Sequence, residues 1–242
     1  MNTPTAPTTT PQTTPTITEF ISSSQQRPDL DTPFALENPY MLELNLRGSA
    51  WAKQGSMVAY QGAISFKREG IFSRGLIQLF MGRLTAEGAK LMKVEGTGRV
   101  YLADKGKRVQ ILRLQNEAIF VNGNDVLAFD PTIDSKITMM RSFGASLAGG
   151  LFNIRLSGTG NVAITSHHTP LALLVTPNRD VFADPNATVA WSSGLDVSVK
   201  TDIQLKTLFG RGSGESIQLR FRGNGWVLIQ PYEEVQIKPR AR

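Results

Sequence analysis

The stretch GTGRVYLA at residues 96–103 returns as GTGNVAIT at 158–165, 62 residues further on. A third form, GNGWVLIQ, occupies 223–230. Extended toward the N-terminus, the three segments read MKVEGTGRVYLA (92–103), IRLSGTGNVAIT (154–165) and LRFRGNGWVLIQ (219–230). Each runs apolar, polar, apolar, polar, Gly, polar, Gly, and then alternates again. A period of two sends Met92 and Val94 to one side of a strand and Lys93 and Glu95 to the other. Val100 and Leu102 then face inward, as do Val162 with Ile164 and Val227 with Ile229. Glycine accepts positive φ and close backbone approach. Gly96, Gly98, Gly158, Gly160, Gly223 and Gly225 are therefore predicted as structural glycines at a bulge or sharp bend. A worn copy, LNLRGSAWAK at 44–53, has Ala50 for the second glycine.

The repeat extends beyond the glycines. VNGNDVLAFDPTIDSKI from Val121 matches ADPNATVAWSSGLDVSV from Ala183 at the same offset. Leu127 aligns with Val189, Phe129 with Trp191, Ile133 with Leu195 and Ile137 with Val199. GSMVAYQGAISF from Gly55 is a shorter version with Tyr60 in the aromatic position. Tyr60, Phe129 and Trp191 are thus expected in the core. Turn signals recur at Asp104-Lys105-Gly106, Asn122-Gly123-Asn124-Asp125 and Asp184-Pro185-Asn186. A unit unable to bury its own apolar face stacks on its neighbours. The prediction is one all-β domain over 36–234, a double-stranded β-helix or β-sandwich of three tandem units with pseudo-threefold symmetry, closed by a last strand pair near 217–230.

Composition sets the frame. Residues 1–35 read as a disordered Thr/Pro-rich tail, because the first 16 are almost all Thr, Pro and Ala. Residues 235–242 form a short basic tail. No apolar run reaches the roughly 18 residues of a transmembrane helix. The chain has no cysteine, which removes disulfides, thiolate ligands and thiol nucleophiles. Its 26 Lys and Arg outweigh 20 Asp and Glu, a mildly basic balance. These features, with neither a secretory signal nor an Arg-rich transit peptide in the sequence, lead to the expectation of a cytoplasmic protein, with a peripheral position at the inner face of the membrane also considered.

With the Gly-x-Gly-x-Val strands, VNGNDVLAFDPTI (121–133) and LFGRGSGESIQLRFRGNGWVLIQ (208–230), the chain resembles the altered-inheritance-of-mitochondria family (number twenty-four). That family belongs to the superfamily similar to the tryptophan RNA-binding attenuation protein. The resemblance covers about residues 36–232. It implies a double-stranded β-helix of three attenuation-protein-like units, no established enzymatic activity and, for a mitochondrial member, a role in organising the inner membrane. No RNA-contact motif of the namesake maps onto these positions.

Chemistry-bearing motifs are sparse. Gly96-Thr97-Gly98 lacks the third glycine and the following helix of a dinucleotide site, and 210–214 lacks the Lys-Ser/Thr of a phosphate loop. His167-His168 reads as two loop histidines, with no catalytic, cofactor or metal residues assigned. Lys93, Arg155 and Arg220 hold one outward position in three copies and form a candidate basic face, read against an ordinary solvated strand. GIFSRGLIQLFMGR (70–83), MMRSFGASLAGGLF (139–152) and TLFGRGSG (207–214) mix apolar residues, glycine and arginine. Their Phe72, Leu76, Phe80, Phe143, Leu147 and Phe209, rimmed by Arg74, Arg83, Arg141 and Arg211, are candidate interaction loops. The expected function is a non-enzymatic scaffold or interaction protein that self-associates or binds a protein partner or an anionic membrane surface, with no cofactor. The alternative is a small-ligand or nucleic-acid binder using the β-helix interior or a basic face. Nucleic acid is the weaker partner, because only Tyr101 and Trp226 interleave with the charges.

Overall fold

The structure, a computed structural model, describes residues 14–28, 31–68, 91–139, 152–201 and 217–233. Within the segment read as a tail lies one short helix, α1 (Ile17–Ser23). Thr16 caps it: its hydroxyl accepts from the Glu19 N–H at 3.3 Å, while the Glu19 carboxylate accepts from the Thr16 N–H at 2.7 Å. This reciprocal pair is the Thr-x-x-Glu capping box, a signal present in the sequence.

All other described elements are strands: β1 (Phe34–Asn38), β2 (Met41–Lys53), β3 (Met57–Arg68), β4 (Leu91–Leu102), β5 (Arg108–Asn122), β6 (Val126–Phe129), β7 (Ile133–Met139), β8 (Phe152–Ser166), β9 (Leu171–Val175), β10 (Val181–Ala183), β11 (Thr188–Ser192), β12 (Asp196–Thr201), β13 (Ile217–Arg222) and β14 (Gly225–Ile229). The protein is all-β and antiparallel. One sheet follows the order β3-β4-β2-β6-β8-β5-β11-β14-β9, with β1 on β2 and β7 on β8; β10-β13-β12 form a smaller sheet.

The register reveals how the long strands run. Lys53, at the end of β2, pairs with Leu91, the first residue of β4. Met57, four residues later, pairs with Leu102, the last residue of β4. Four residues reach about 14 Å at most. A straight strand from Leu91 to Leu102 would span about 36 Å. β4 therefore folds back on itself, and Gly96 and Gly98 lie at its middle. Both halves then contribute to one core, in which Met92 and Val94 pack with Val100 and Leu102. The pairing of β4 with β2 is unshifted through the glycines, so these positions are bends and not bulges. The bulges lie elsewhere, as at Asn116 in β5, which has φ 59°.

β8 repeats the device. Asn122 of β5 pairs with Asn153, and Val126 of β6, four residues on, pairs with Ile164 at the opposite end. In the last Gly-x-Gly segment the bend becomes a break. β13 ends at Arg222 and joins the smaller sheet, whereas β14 starts at Gly225 in the larger one. The segment at 44–53, read as a worn copy of this strand, is instead the neighbour of one, because Gly48 stands opposite Gly96.

Apolar side chains fill three successive clusters. The first holds Leu42, Leu44, Val94, Val100 and Leu102. The second holds Val121, Phe129, Ile154, Leu156 and Val162. The third holds Trp191, Leu219, Phe221 and Val227. The predicted aromatic core position holds for Phe129 and Trp191, 0% and 3% exposed, and fails for Tyr60, 48% exposed. All three face a valine two residues past the second glycine: Val100, Val162 and Val227. Tyr60 differs because β3 ends its sheet among the described strands, so none of them lies beyond it to bury the ring.

The turns after β4 and β5 meet in a buried ionic junction. Lys53 Nζ donates to Asp104 Oδ2 at 2.8 Å and to the Asn124 carbonyl at 2.6 Å. Lys107 Nζ donates to Asp125 Oδ1 at 2.8 Å, with both side chains buried. Thr165 donates to Asp104 at 3.2 Å.

Two measurements check this account by chemical denaturation. Gly98 has φ 149°, and an added Cβ would meet the Gln61 carbonyl oxygen and the Gly62 Cα. Gly98→Ala is expected to cost about 2–3 kcal/mol, against about 1 kcal/mol for Gly55→Ala, where φ is also positive but nothing lies within 4 Å. Lys107→Met strands the buried Asp125 carboxylate and should cost about 3–5 kcal/mol; combining it with Asp125→Leu should restore much of that.

Candidate functional site

The candidate interaction loops, with Phe72, Arg74, Leu76, Phe80, Arg83, Arg141, Phe143, Leu147, Phe209 and Arg211, lie outside the described residues. The candidate basic face is within them, and the structure gives each member a separate setting. Lys93 is on β4, where its Nζ meets Glu95 Oε1 at 2.8 Å. Arg155 is on β8 and donates to the Ser157 hydroxyl at 2.7 Å. Arg220 is on β13 in the smaller sheet, with Nε 2.7 Å from Asp180 Oδ2. No two of these strands are neighbours.

What the three cations do share is a cross-strand partner. Lys93 stands opposite Trp51, Arg155 opposite Phe120 and Arg220 opposite Phe182. Two of these aromatics pack on the ring from the next stretch of chain. Trp51 pairs in register with Phe129 of β6, and their rings stack at 6.4 Å. Phe120 pairs with Trp191 of β11, stacked at 5.6 Å. Phe182 is 46% exposed, with Lys200 Nζ 5.1 Å and Arg220 Cζ 5.9 Å from its ring centroid. A sequence signal for these pairs is the aromatic three places before the first strand's turn, at Trp51, Phe120 and Phe182.

The clearest exposed surface is β3. Among the described strands it pairs on one side, with β4. Met57, Val58 and Tyr60 are exposed large hydrophobics, and residues 57–66 carry no charge. Natural edge strands are usually blunted by charge, proline or short length. Here the first charges are Lys67 and Arg68, at the far end.

Elsewhere the bends open an exterior cleft of about 1050 Å³ that includes Arg113, Asn116, Thr132, Arg155, Ser192 and Trp226. The His167 ring stacks on Tyr232 at 3.9 Å, and the His167 backbone N–H donates to Gln230 Oε1 at 2.7 Å. Among the described residues no group of three or more His, Asp or Glu is arranged to hold a metal. Among them, too, no helix is long and apolar enough to cross a membrane.

The cation beside the aromatic row also sets one titration. Hydrogen bonds from Lys67 and then Lys93 lower the Glu95 carboxyl from 4.5 to about 2. A lowered folded value means that its contribution is full above pH 4.5 and fades as pH falls toward 2. Carboxyl NMR should find Glu95 titrating near pH 2, and Lys67→Met with Lys93→Met should return it toward 4.5.

Comparison with known proteins follows from this architecture. The model of the mitochondrial biogenesis AIM24 family matches residues 36–232. The crystal structure of protein SPYM3_0169 from Streptococcus pyogenes is similar, with a TM-score of 0.64 and 22% identity, covering 83% of this chain and 92% of that one. At that identity the likeness concerns the fold. No functionally curated protein matches. On the family match over most of its length, the chain belongs to the mitochondrial biogenesis AIM24 family.

Proposed function

We propose that this protein is a non-enzymatic, self-associating scaffold built from three tandem β units with pseudo-threefold symmetry. In each unit a first strand and a third strand flank a central Gly-x-Gly strand. The central strands are β4, β8 and the β13–β14 pair. The first strands are β2, β5 and β9–β10; the third strands are β3, β6–β7 and β11–β12. The equal registers of Tyr60, Phe129 and Trp191 against the three valines support this reading. So do the three successive clusters, each drawn mainly from one unit and shared with its neighbour at the boundary.

The observation that carries the function is β3. It is 12 residues long, open along one ladder among the described residues, and apolar and uncharged over most of its length. An isolated domain gains nothing from such an edge and risks aggregation. An assembling one uses it to add strands. Among the described residues apolar side chains pack the interior, so a small-ligand reading moves to the exterior cleft. An action at a membrane surface stays compatible with this scaffold and rests on the candidate loops.

Sedimentation velocity tests the proposal on the full chain. The expected result is species heavier than 26.5 kDa whose share rises with concentration. A single 26.5 kDa species up to the solubility limit would refute self-association.

A further inference from the structure

The two junctions inside the chain are built alike. At the first, Trp51 faces Phe129 and Ala52 faces Ala128. At the second, Phe120 faces Trp191 and Val121 faces Ala190. In both, the first strand of one unit meets the third strand of the next through an aromatic pair flanked by a small apolar pair.

Each end of the molecule carries half of such a junction. At the start is the third strand of the first unit, β3, with Tyr60 and Ala59 in the positions of Phe129 and Ala128. Both register against β4 as their counterparts do against β8 and β14: Tyr60 opposite Val100, Phe129 opposite Val162, Trp191 opposite Val227. At the other end is the first strand of the last unit. There Phe182 and Ala183 of β10 take the positions of Trp51 with Ala52 and of Phe120 with Val121. The shared mark is the cation across the ladder, Arg220 for Phe182. β10 ends the smaller sheet as β3 ends the larger. Tyr60 is 48% exposed where its counterparts Phe129 and Trp191 are 0% and 3% exposed, and Phe182 is 46% exposed where its counterparts Trp51 and Phe120 are partly buried.

We infer that copies of this chain associate head to tail, β10 of one copy pairing antiparallel with β3 of the next. Phe182 then stacks on Tyr60, and Ala183 faces Ala59. The occupant of each exposed edge is a second copy, because the two edges are the complementary halves of a contact that the chain already makes twice. This contact is heterologous: each copy uses a different surface toward its two neighbours. Such assemblies close into rings or extend as filaments. Edge pairing supplies main-chain hydrogen bonds, and the aromatic pair sets the register. The inference rests on the self-association proposed above and adds its polarity.

The test uses two single variants of the full chain, Tyr60→Asp and Phe182→Asp. Both sites are exposed, so circular dichroism and Tm should match the wild type; Tyr60→Ser and Phe182→Ser serve as a second pair if either aspartate variant misfolds. Each variant alone should sediment as a monomer, since each has lost one half of every junction. An equimolar mixture should form a species of two chains and stop there. Phe182 of the Tyr60→Asp chain meets Tyr60 of the Phe182→Asp chain, and the remaining ends are blocked. If Phe182→Asp assembles like the wild type while Tyr60→Asp does not, β3 pairs with β3 and the head-to-tail inference is overturned, with self-association intact. Monomeric variants whose mixture stays monomeric overturn it as well. A wild type that is itself monomeric overturns the scaffold reading and this inference together.

Discussion

The reversal of the central strand at Gly-x-Gly is the constraint on which the other features depend. A strand of 12 residues has two faces, and a straight one would bury a single face against a second layer. Folded at Gly96 and Gly98, β4 supplies both layers itself. Its inward residues on either side of the bend then meet in one cluster. The backbone of β3 passes so close over the bend that no Cβ fits at Gly98. Glycine is thus required twice there, for its positive φ and for the missing side chain.

The reversal brings strand ends together that are far apart in sequence. Lys53 and Asp104 belong to opposite ends of neighbouring strands, yet they are hydrogen-bonded. Around them the Asn122–Asp125 turn adds its carbonyls, and Lys107 neutralises Asp125 in a buried pair. A junction of this kind contributes little net stability when intact, because desolvation offsets attraction. Its value is in disfavouring other arrangements: a one-residue slip would bury an uncompensated charge.

Stacking has a consequence at the ends. Within the chain, Trp51 stacks on Phe129 and Phe120 on Trp191, so these four aromatics are matched in two pairs. In the tandem arrangement proposed above, one aromatic at each end has no such match. Solenoid proteins commonly protect such ends with polar caps. Here the ends keep Tyr60 and Phe182 outward, and the charge that would repel another strand is confined to the distal Lys67 and Arg68 of β3. The cations Lys93, Arg155 and Arg220 are the cross-strand partners of Trp51, Phe120 and Phe182. Their own acids and hydroxyls, Glu95, Asp180 and Ser157, hold them locally.

Much of this was legible in the sequence. Period-two alternation, a repeated Gly-x-Gly and an offset of 62 residues determined strands, bends and the inward faces of Val94, Val100, Val162 and Val227, because side-chain direction in a strand follows from local geometry alone. The aromatic position was legible too, down to its members. Its burial was not. Tyr60, Phe129 and Trp191 have the same local pattern and the same valine opposite, and they differ only in whether another strand lies beyond. The same holds for the cations, whose common position in the pattern could not say that β4, β8 and β13 are not neighbours. Nor could it say that 44–53 is the partner of a Gly-x-Gly strand and not another copy. Strand order and the location of sheet edges arise from contacts between residues distant in the chain. Only the tertiary structure decided them, and with them which aromatics of the repeated pattern are left exposed.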